Sequence, residues 1–286
     1  MNEVVPMQPG HAKELGRIYY DAFRDVTERH GVSIGSPNSP ESAARMFDFL
    51  TTKDRFAYPA TLMVDGKLAG SAWLRLGDEV AAIEDVNVDP TTQSKGVGRA
   101  LMQHMIDHAH QLGYKSVRLT QSAYNLVSLS LYASMGFEVK DTFVEMKAAP
   151  SAAPDETVRT MTEADLPVIE RLSKNSYKVS RRREALSALE LFGNCLVKES
   201  DSEITAYMTF ADSGHGVAES VSDVLALVGE AARRFPEHAE FGCPLSLGGL
   251  YKSLLEAGCR AVEFHTIMVL GEYEHPTGIW MPSGAY

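Results

Sequence analysis

Gln93-Ser94-Lys95-Gly96-Val97-Gly98 is the stretch of this chain whose chemistry can be read most directly from residue types and spacing. It follows a strand-like run and opens a helical pattern. Glycines at such a junction let backbone N–H groups approach a ligand, and the helix start offers unpaired donors at the positive end of its dipole. Lys95 adds a point charge. Together these features bind a phosphate-bearing molecule. The nucleotide-binding pattern GxxxxGK followed by Ser or Thr is absent, and Leu101 stands where GxGxxG needs its third glycine.

The elements that must position this loop follow from periodicity. A strand is predicted near Val4–Met7, then a helix from His11 to about Glu28 with Leu15, Ile18, Tyr19, Ala22 and Phe23 on one face. A second helix is predicted over about Glu41–Leu50, behind the proline-rich turn at Ser36–Pro40. Asp65-Gly66-Lys67 between two apolar runs, Ala60–Val64 and Leu68–Leu76, reads as a hairpin. Val80–Val88 reads as a strand that Asp89-Pro90 ends, because proline lacks the N–H a ladder needs. Leu101, Met102, Met105, Ile106 and Ala109 mark a helix over Gly98–Leu112, closed by Gly113, and Ser116–Thr120 is the next strand.

In that setting the loop resembles the Q/R-x-x-G-x-G/A pyrophosphate motif of the GNAT superfamily of N-acetyltransferases. Val86-Asn87-Val88-Asp89-Pro90 precedes it as the family's fourth strand does. Asn125 through Phe137 resembles the downstream signature N-x-x-A-x-x-x-Y-x-x-x-G-F, with Ser128 where alanine is commoner. The resemblance covers about Val4 to Met146. It implies a mixed α/β fold, a twisted sheet flanked by helices whose fourth and fifth strands splay around the pantetheine arm of acetyl-CoA.

The resemblance also implies roles. Backbone N–H groups of Ser94 through Arg99, with Gln93, would hold the pyrophosphate, so the glycines matter for their lack of bulk. The thioester oxygen needs a donor as it gains charge, which the family places on a backbone N–H around Val86, Asn87 and Val88, with Val88 the first choice. Tyr132 stands where the family's general acid protonates the CoA sulfur, and Asn125 contacts the pantetheine arm or caps the tyrosine's helix. Glu84 and Asp85 are the candidate bases for the acceptor amine. Strict alternation puts Glu84 on the side of Val86 and Val88, and a bulge in this strand would reverse that. Water serving in place of a dedicated base stays open.

With 286 residues the chain suggests two domains, on a prior of roughly 100 to 200 residues each. A content of 44% hydrophobic and 23% charged residues excludes disordered, collagenous and coiled-coil classes. The net charge of -11 leaves no broad basic surface, so nucleic acid is not an expected partner. No stretch approaches the roughly 20 apolar residues that cross a bilayer, so no membrane association and a cytoplasmic location are expected. Cys195, Cys243 and Cys259 form no ligand pattern and read as reduced core thiols, and no histidine shows metal-ligand spacing, so no metal is expected.

Ala148–Asp155 is small and proline-bearing, as an exposed linker is, and divides the chain into domains at 1–148 and 156–286. The halves rhyme. Met7, Leu15 and Ile18 recur 154 positions later as Met161, Ile169 and Leu172, and Met146 recurs 122 positions later as Met268. The second half has no such loop, its closest substitute being Asp212-Ser213-Gly214-His215-Gly216, and Leu254 stands at the position matching Tyr132. It reads as a degenerate repeat that shapes an acceptor pocket or an oligomer interface, a homodimer included. Arg181-Arg182-Arg183 reads as a solvated helix start, and Gly278–Tyr286 as a cleft lining or a packing segment. The expected activity is an acyltransferase acting on a small-molecule or peptide amine by direct attack. The rival reading is a non-catalytic acetyl-CoA or metabolite sensor of the same fold.

Overall fold

Short-range signals in the chain mark where its elements begin and end. The computed structural model describes residues 2–32, 37–93, 96–210 and 214–286. Its first half runs β1 (Asn2–Pro6), α1 (Ala12–His30), α2 (Pro40–Lys53), β2 (Ala57–Val64), β3 (Lys67–Leu76), β4 (Ala81–Val88), α3 (Val97–Gln111), β5 (Ser116–Ser122), α4 (Leu126–Ser134) and β6 (Glu138–Lys147). The second runs β7 (Val158–Thr160), α5 (Leu166–Tyr177), α6 (Arg182–Leu191), β8 (Cys195–Ser200), β9 (Glu203–Thr209), β10 (Gly216–Ala218), α7 (Val221–Arg234), β11 (Glu240–Pro244), α8 (Gly248–Glu256), β12 (Arg260–Gly271) and β13 (Ile279–Met281). Ser39 accepts from the Ser42 N–H and Pro40 takes the first helical position, which starts α2. Asp65 and Gly66, at φ of 49° and 77°, close the β2–β3 hairpin as expected.

The strands form two sheets, ordered β1-β2-β3-β4-β5-β12-β6-β11 and β13-β10-β9-β8-β7. Strand β12 of the second half is thus inserted between two strands of the first, antiparallel to both. The expected repeat is visible in element spacing: α8 starts 122 residues after α4, β12 starts 122 after β6, and α5 starts 154 after α1. Under that correspondence the two halves have exchanged their β6-type strands.

On one face of the large sheet, Leu62, Ala72, Leu74 and Ile83 pack against Leu101, Met102 and Met105 of α3. On the other, Trp73 meets Phe47 and Ile18 of α2 and α1, and Val80, Ala82 and Phe143 meet the second half. Among the described residues no helix is long and apolar enough to cross a membrane.

Residues 148–155 form neither helix nor strand and are exposed at Pro150 and from Ala152 to Pro154, yet they are tethered: Ala148, Ser151 and Asp155 donate backbone hydrogen bonds to Ala239 O, Gly229 O and Glu230 Oε1, at 2.9, 3.3 and 3.0 Å. One expectation is corrected here: the arginine run is not a solvated cluster. Arg181 is 1% exposed, donates from Nε to Glu184 Oε2 at 2.6 Å, and lies 3.8 Å from the Tyr286 ring centre. Arg183 donates to the carbonyls of Leu76 and Gly77 at the end of β3. Only Arg182 is exposed. The run sits where the halves meet, and a guanidinium is buried there because carboxylate, hydroxyl and carbonyl oxygens surround it.

His215, fully buried with Nδ1 3.5 Å from Glu184 Oε1, has its pKa pushed down to about 3, chiefly by burial. Burial opposes the charge of Glu184, but Arg181 and then His215 outweigh it and bring that carboxyl to about 2. Both groups therefore stabilise the fold above their unfolded pKa values and lose that contribution on acidification. The melting temperature is expected to fall as pH drops from 6.5 toward 3, where the unfolded chain takes up a proton that buried His215 refuses. His104 and His108, lowered by burial as well, add to the same limb. His215→Gln should flatten it in part, and parallel wild-type and variant curves of melting temperature against pH would refute the assignment.

Candidate functional site

The parallel contact between β4 and β5 is limited to Ala81 with Val117 and Ala82 with Arg118. Beyond it β5 turns to β12 and β4 continues against β3, so the two strands diverge. A bulge shapes the diverging part. Trp73 faces Glu84 and Ser71 faces Asn87, so Asp85 and Val86 together oppose Ala72, and Asp85 takes a φ of 51°. Glu84 and Asn87 then share one face, while Val86 and Val88 pack on the other against the core under α3 and α4. Strict alternation of Glu84 with Val86 and Val88 therefore does not hold.

Glu84 grips Arg75 through two bonds, 2.8 and 2.9 Å, and Arg75 also reaches Asp54 at 2.8 Å. A small cavity joins Glu84 and Arg75 to Glu184, Ser187, Thr209 and Ala285 of the second half. Asp85 lies within electrostatic reach of Tyr132. At the end of β4 the Asp89 N–H goes to Ala69 O at 2.9 Å, so by ladder alternation the Val88 N–H is directed away from β3 and into the opening.

The loop start is held firmly. Asp89 accepts from the Thr91 N–H and pairs with Arg17 of α1, both at 2.8 Å. Gln93 is exposed, and Ser94 and Lys95 lie outside the described residues. Gly96 has a φ of 78°, where a side chain is strained, and as N-cap it offers no side-chain oxygen. Ala100 N–H makes the first intrahelical bond, to Gly96 O, which leaves the N–H groups of Val97, Gly98 and Arg99 as helix-start donors. A methyl on Gly98 would stand 3.5 Å from Leu131 and 3.6 Å from Val88, so this strip between α3, α4 and β4 has no room for a larger group.

Asn125 caps α4, its Oδ1 accepting from the Ser128 N–H at 3.2 Å. Tyr132 is 8% exposed, and burial, then the charge of Asp85, push its pKa up to about 12. Its hydroxyl keeps its proton at neutral pH. Sequence reasoning missed two neighbours. Ser128 Oγ donates to Gln121 Oε1 at 2.9 Å, and Gln121 Nε2 donates to Thr266 Oγ1 at 2.8 Å. Serine in place of the commoner alanine was the available signal, but Thr266 reaches the site only because β12 is inserted beside β5.

The second half closes the corresponding features. Eight residues (89–96) join β4 to α3, but two (219–220) join β10 to α7. Ser220 caps α7, and Asp223 puts negative charge in its first turn. Strand β13 runs beside β10 where β5 runs beside β4, and Leu254 is buried. Of the candidate substitute loop, Asp212 and Ser213 lie outside the described residues. Trp280 and Tyr286 are packed in the core between the halves. Among the described residues one group converges as metal ligands do, Glu145, Glu263 and His265, with ligand atoms within 4.8 Å of one another. Spacing rules miss it because Glu145 meets Glu263 only through the β6–β12 register.

Residues 17–137 match the family model described as Acetyltransferase (GNAT) family. The chain is 36% identical over 76 residues to the ribosomal protein bS18-alanine N-acetyltransferase of Escherichia coli K12, covering 27% of this chain and 51% of that relative. It is 31% identical over 164 residues to the mycothiol acetyltransferase of Cellulomonas flavigena, covering 51% of this chain and 45% of that one. The chain thus spans about half the length of the curated relatives it matches. A Pyrococcus horikoshii crystal structure shares the fold across 98% of this chain and 92% of its own, at a TM-score of 0.71 and 15% identity.

The cap on α4 gives a direct test of local order. Asn125→Ala should lower stability by about 1 kcal/mol in urea unfolding, and Asn125→Asp, which keeps the acceptor oxygen, should hold it near wild type. Equal losses in both would mean that the side chain serves something other than the cap.

Proposed function

We propose, on the match of residues 17–137 to the GNAT acetyltransferase family, that the chain moves the acetyl group of acetyl-CoA to a primary amine of a small-molecule or peptide acceptor. The observation that carries this reading is one arrangement: an uncapped helix start, a strand splay and a buried tyrosine gathered around one core cluster. The residues present fit the cosubstrate. Val97, Gly98 and Arg99 supply N–H donors for the pyrophosphate, assisted by Gln93, Ser94 and Lys95, and the splay beside Val86 and Asn87 accepts an extended arm. Asn125 keeps the first turn of α4 in place and offers its amide NH2 to that arm.

The amine attacks the thioester carbonyl while both substrates are bound, so the C–N bond forms as the C–S bond breaks. The Val88 N–H meets the oxygen as its charge grows, and Tyr132 gives its proton to the departing sulfur. Glu84, engaged by Arg75, is suited to hold an ammonium by charge. Removal of the amine proton falls to Asp85, at the bulge, whose charge reaches Tyr132.

Tyr132 is an acid only while protonated. With a pKa near 12 it stays so across the working range, and kcat should show no alkaline loss up to pH 10. Purified protein with acetyl-CoA and a panel of polyamines, aminoglycosides, amino acids and peptides should release free thiol with at least one acceptor. Tyr132→Phe should lower kcat about 100-fold with acetyl-CoA affinity kept. Binding without thiol release from any acceptor would favour the sensor reading, and no binding would sink both. Gly98→Val, which crowds Leu131 and Val88, should weaken acetyl-CoA in calorimetry at least about tenfold, whereas Gly98→Ala should bind nearly as wild type.

A further inference from the structure

We propose that Gln121 and Thr266 are positioning residues for Tyr132, so that the second half, through strand β12, orients the acid of the first. The inference rests on the reading of Tyr132 as that acid. Helix α4 has nine residues, and Tyr132 is the buried one among them. Leu126 and Val127 in its first turn are 64% and 73% exposed. Leu129 and Leu131 pack against the core only partly buried, and Arg99 reaches Ser134 at the helix's far end, so a polar tie near its start can decide the helix's orientation.

Ser128 supplies that tie. It lies four residues before Tyr132, on the same face of the helix, and its hydroxyl is shared between Asn125 O within the helix and Gln121 Oε1 of β5, each at 2.9 Å. The Gln121 amide is held at both ends, its oxygen by Ser128 and its nitrogen by Thr266 directly opposite in the β5–β12 ladder. Gln121 and Thr266 are each 7% exposed. Without the Thr266 hydroxyl nothing in this relay favours aiming the amide oxygen at Ser128, and a buried NH2 loses its acceptor.

The second half is an internal control. At the 122-residue offset, Ser128, Gln121 and Tyr132 correspond to Leu250, Cys243 and Leu254, and Thr266 corresponds to Val144. Cys243 and Val144 face each other in the β11–β6 ladder as Gln121 and Thr266 do, and all four counterparts share one apolar core. The backbone arrangement is thus compatible with an apolar filling. The polar relay occurs in the half whose helix carries the tyrosine.

Thr266→Val installs the residue used at the counterpart position. Its acetyl-CoA affinity should stay near wild type and its melting temperature fall by only a few degrees, the effect of one buried donor left without an acceptor, while kcat falls about tenfold and Thr266→Ser restores both. Ser128→Ala should give a similar loss, and the double variant no more than either single, since the groups act in series. In protein labelled with 3-fluorotyrosine, the 19F resonance that Tyr132→Phe removes should shift or broaden in Thr266→Val and return in Thr266→Ser. Should Tyr132→Phe keep full kcat, the acid reading fails while this resonance still tests positioning. A Thr266→Val protein with wild-type kcat and an unmoved resonance would overturn the proposal.

Discussion

The early end of the β4–β5 contact is the constraint around which the rest is arranged. Two residue pairs join these parallel strands, after which backbone groups that would have paired face a gap. Unpaired backbone donors in a protein interior are costly unless a ligand or water meets them. The bulge at Asp85 and Val86 makes the gap usable, because it sends Glu84 and Asn87 to one face and leaves Val86 and Val88 on the other. One irregular residue pair thereby separates the group that faces the second half from the groups that face α3 and α4.

The exchanged strand supplies rigidity where this gap removes it. Strand β5 has lost most of its partner on one side, and β12 pairs with it along its length on the other, from Ser116 to Ser122. Because β12 also pairs with β6, the halves cannot part without breaking the ladders of the large sheet. The polar cluster of Arg181, Glu184 and neutral His215 lies at the same junction and is buried only because its members meet one another and the 283–286 segment. Such a cluster selects one docking of the halves rather than adding much net stability, since desolvation offsets a large share of the attraction.

Much of this was legible in the chain itself. Apolar spacing located the helices of the first half, Asp65-Gly66 located the hairpin, and offsets of 154 and 122 gave the repeat. What stayed hidden depended on partners distant in sequence. A bulge needs two strands to define it, so the face of Glu84 could not be settled from β4 alone. Arg181 resembled any helix-start arginine until Glu184, Ser283 and the Tyr286 ring surrounded it. Glu145, Glu263 and His265 converge, and Gln121 finds Thr266, only through the inserted strand, which no local periodicity announces.

The two halves are contrasting treatments of one backbone plan. In the second, the short β10–α7 connection, the Ser220 cap and strand β13 satisfy the helix-start donors and occupy the place beside β10. Its α8 carries Leu254 in an apolar core. The first half keeps the long loop, an N-cap glycine at φ 78° with no side-chain acceptor, an open splay and a buried tyrosine on a helix whose Ser128 reaches Gln121. The loop, the glycine cap and the splay leave polar groups less satisfied in the free protein than their counterparts do. Their concentration on one side of one half costs stability, and the closed second half, interleaved through β12, is positioned to offset it.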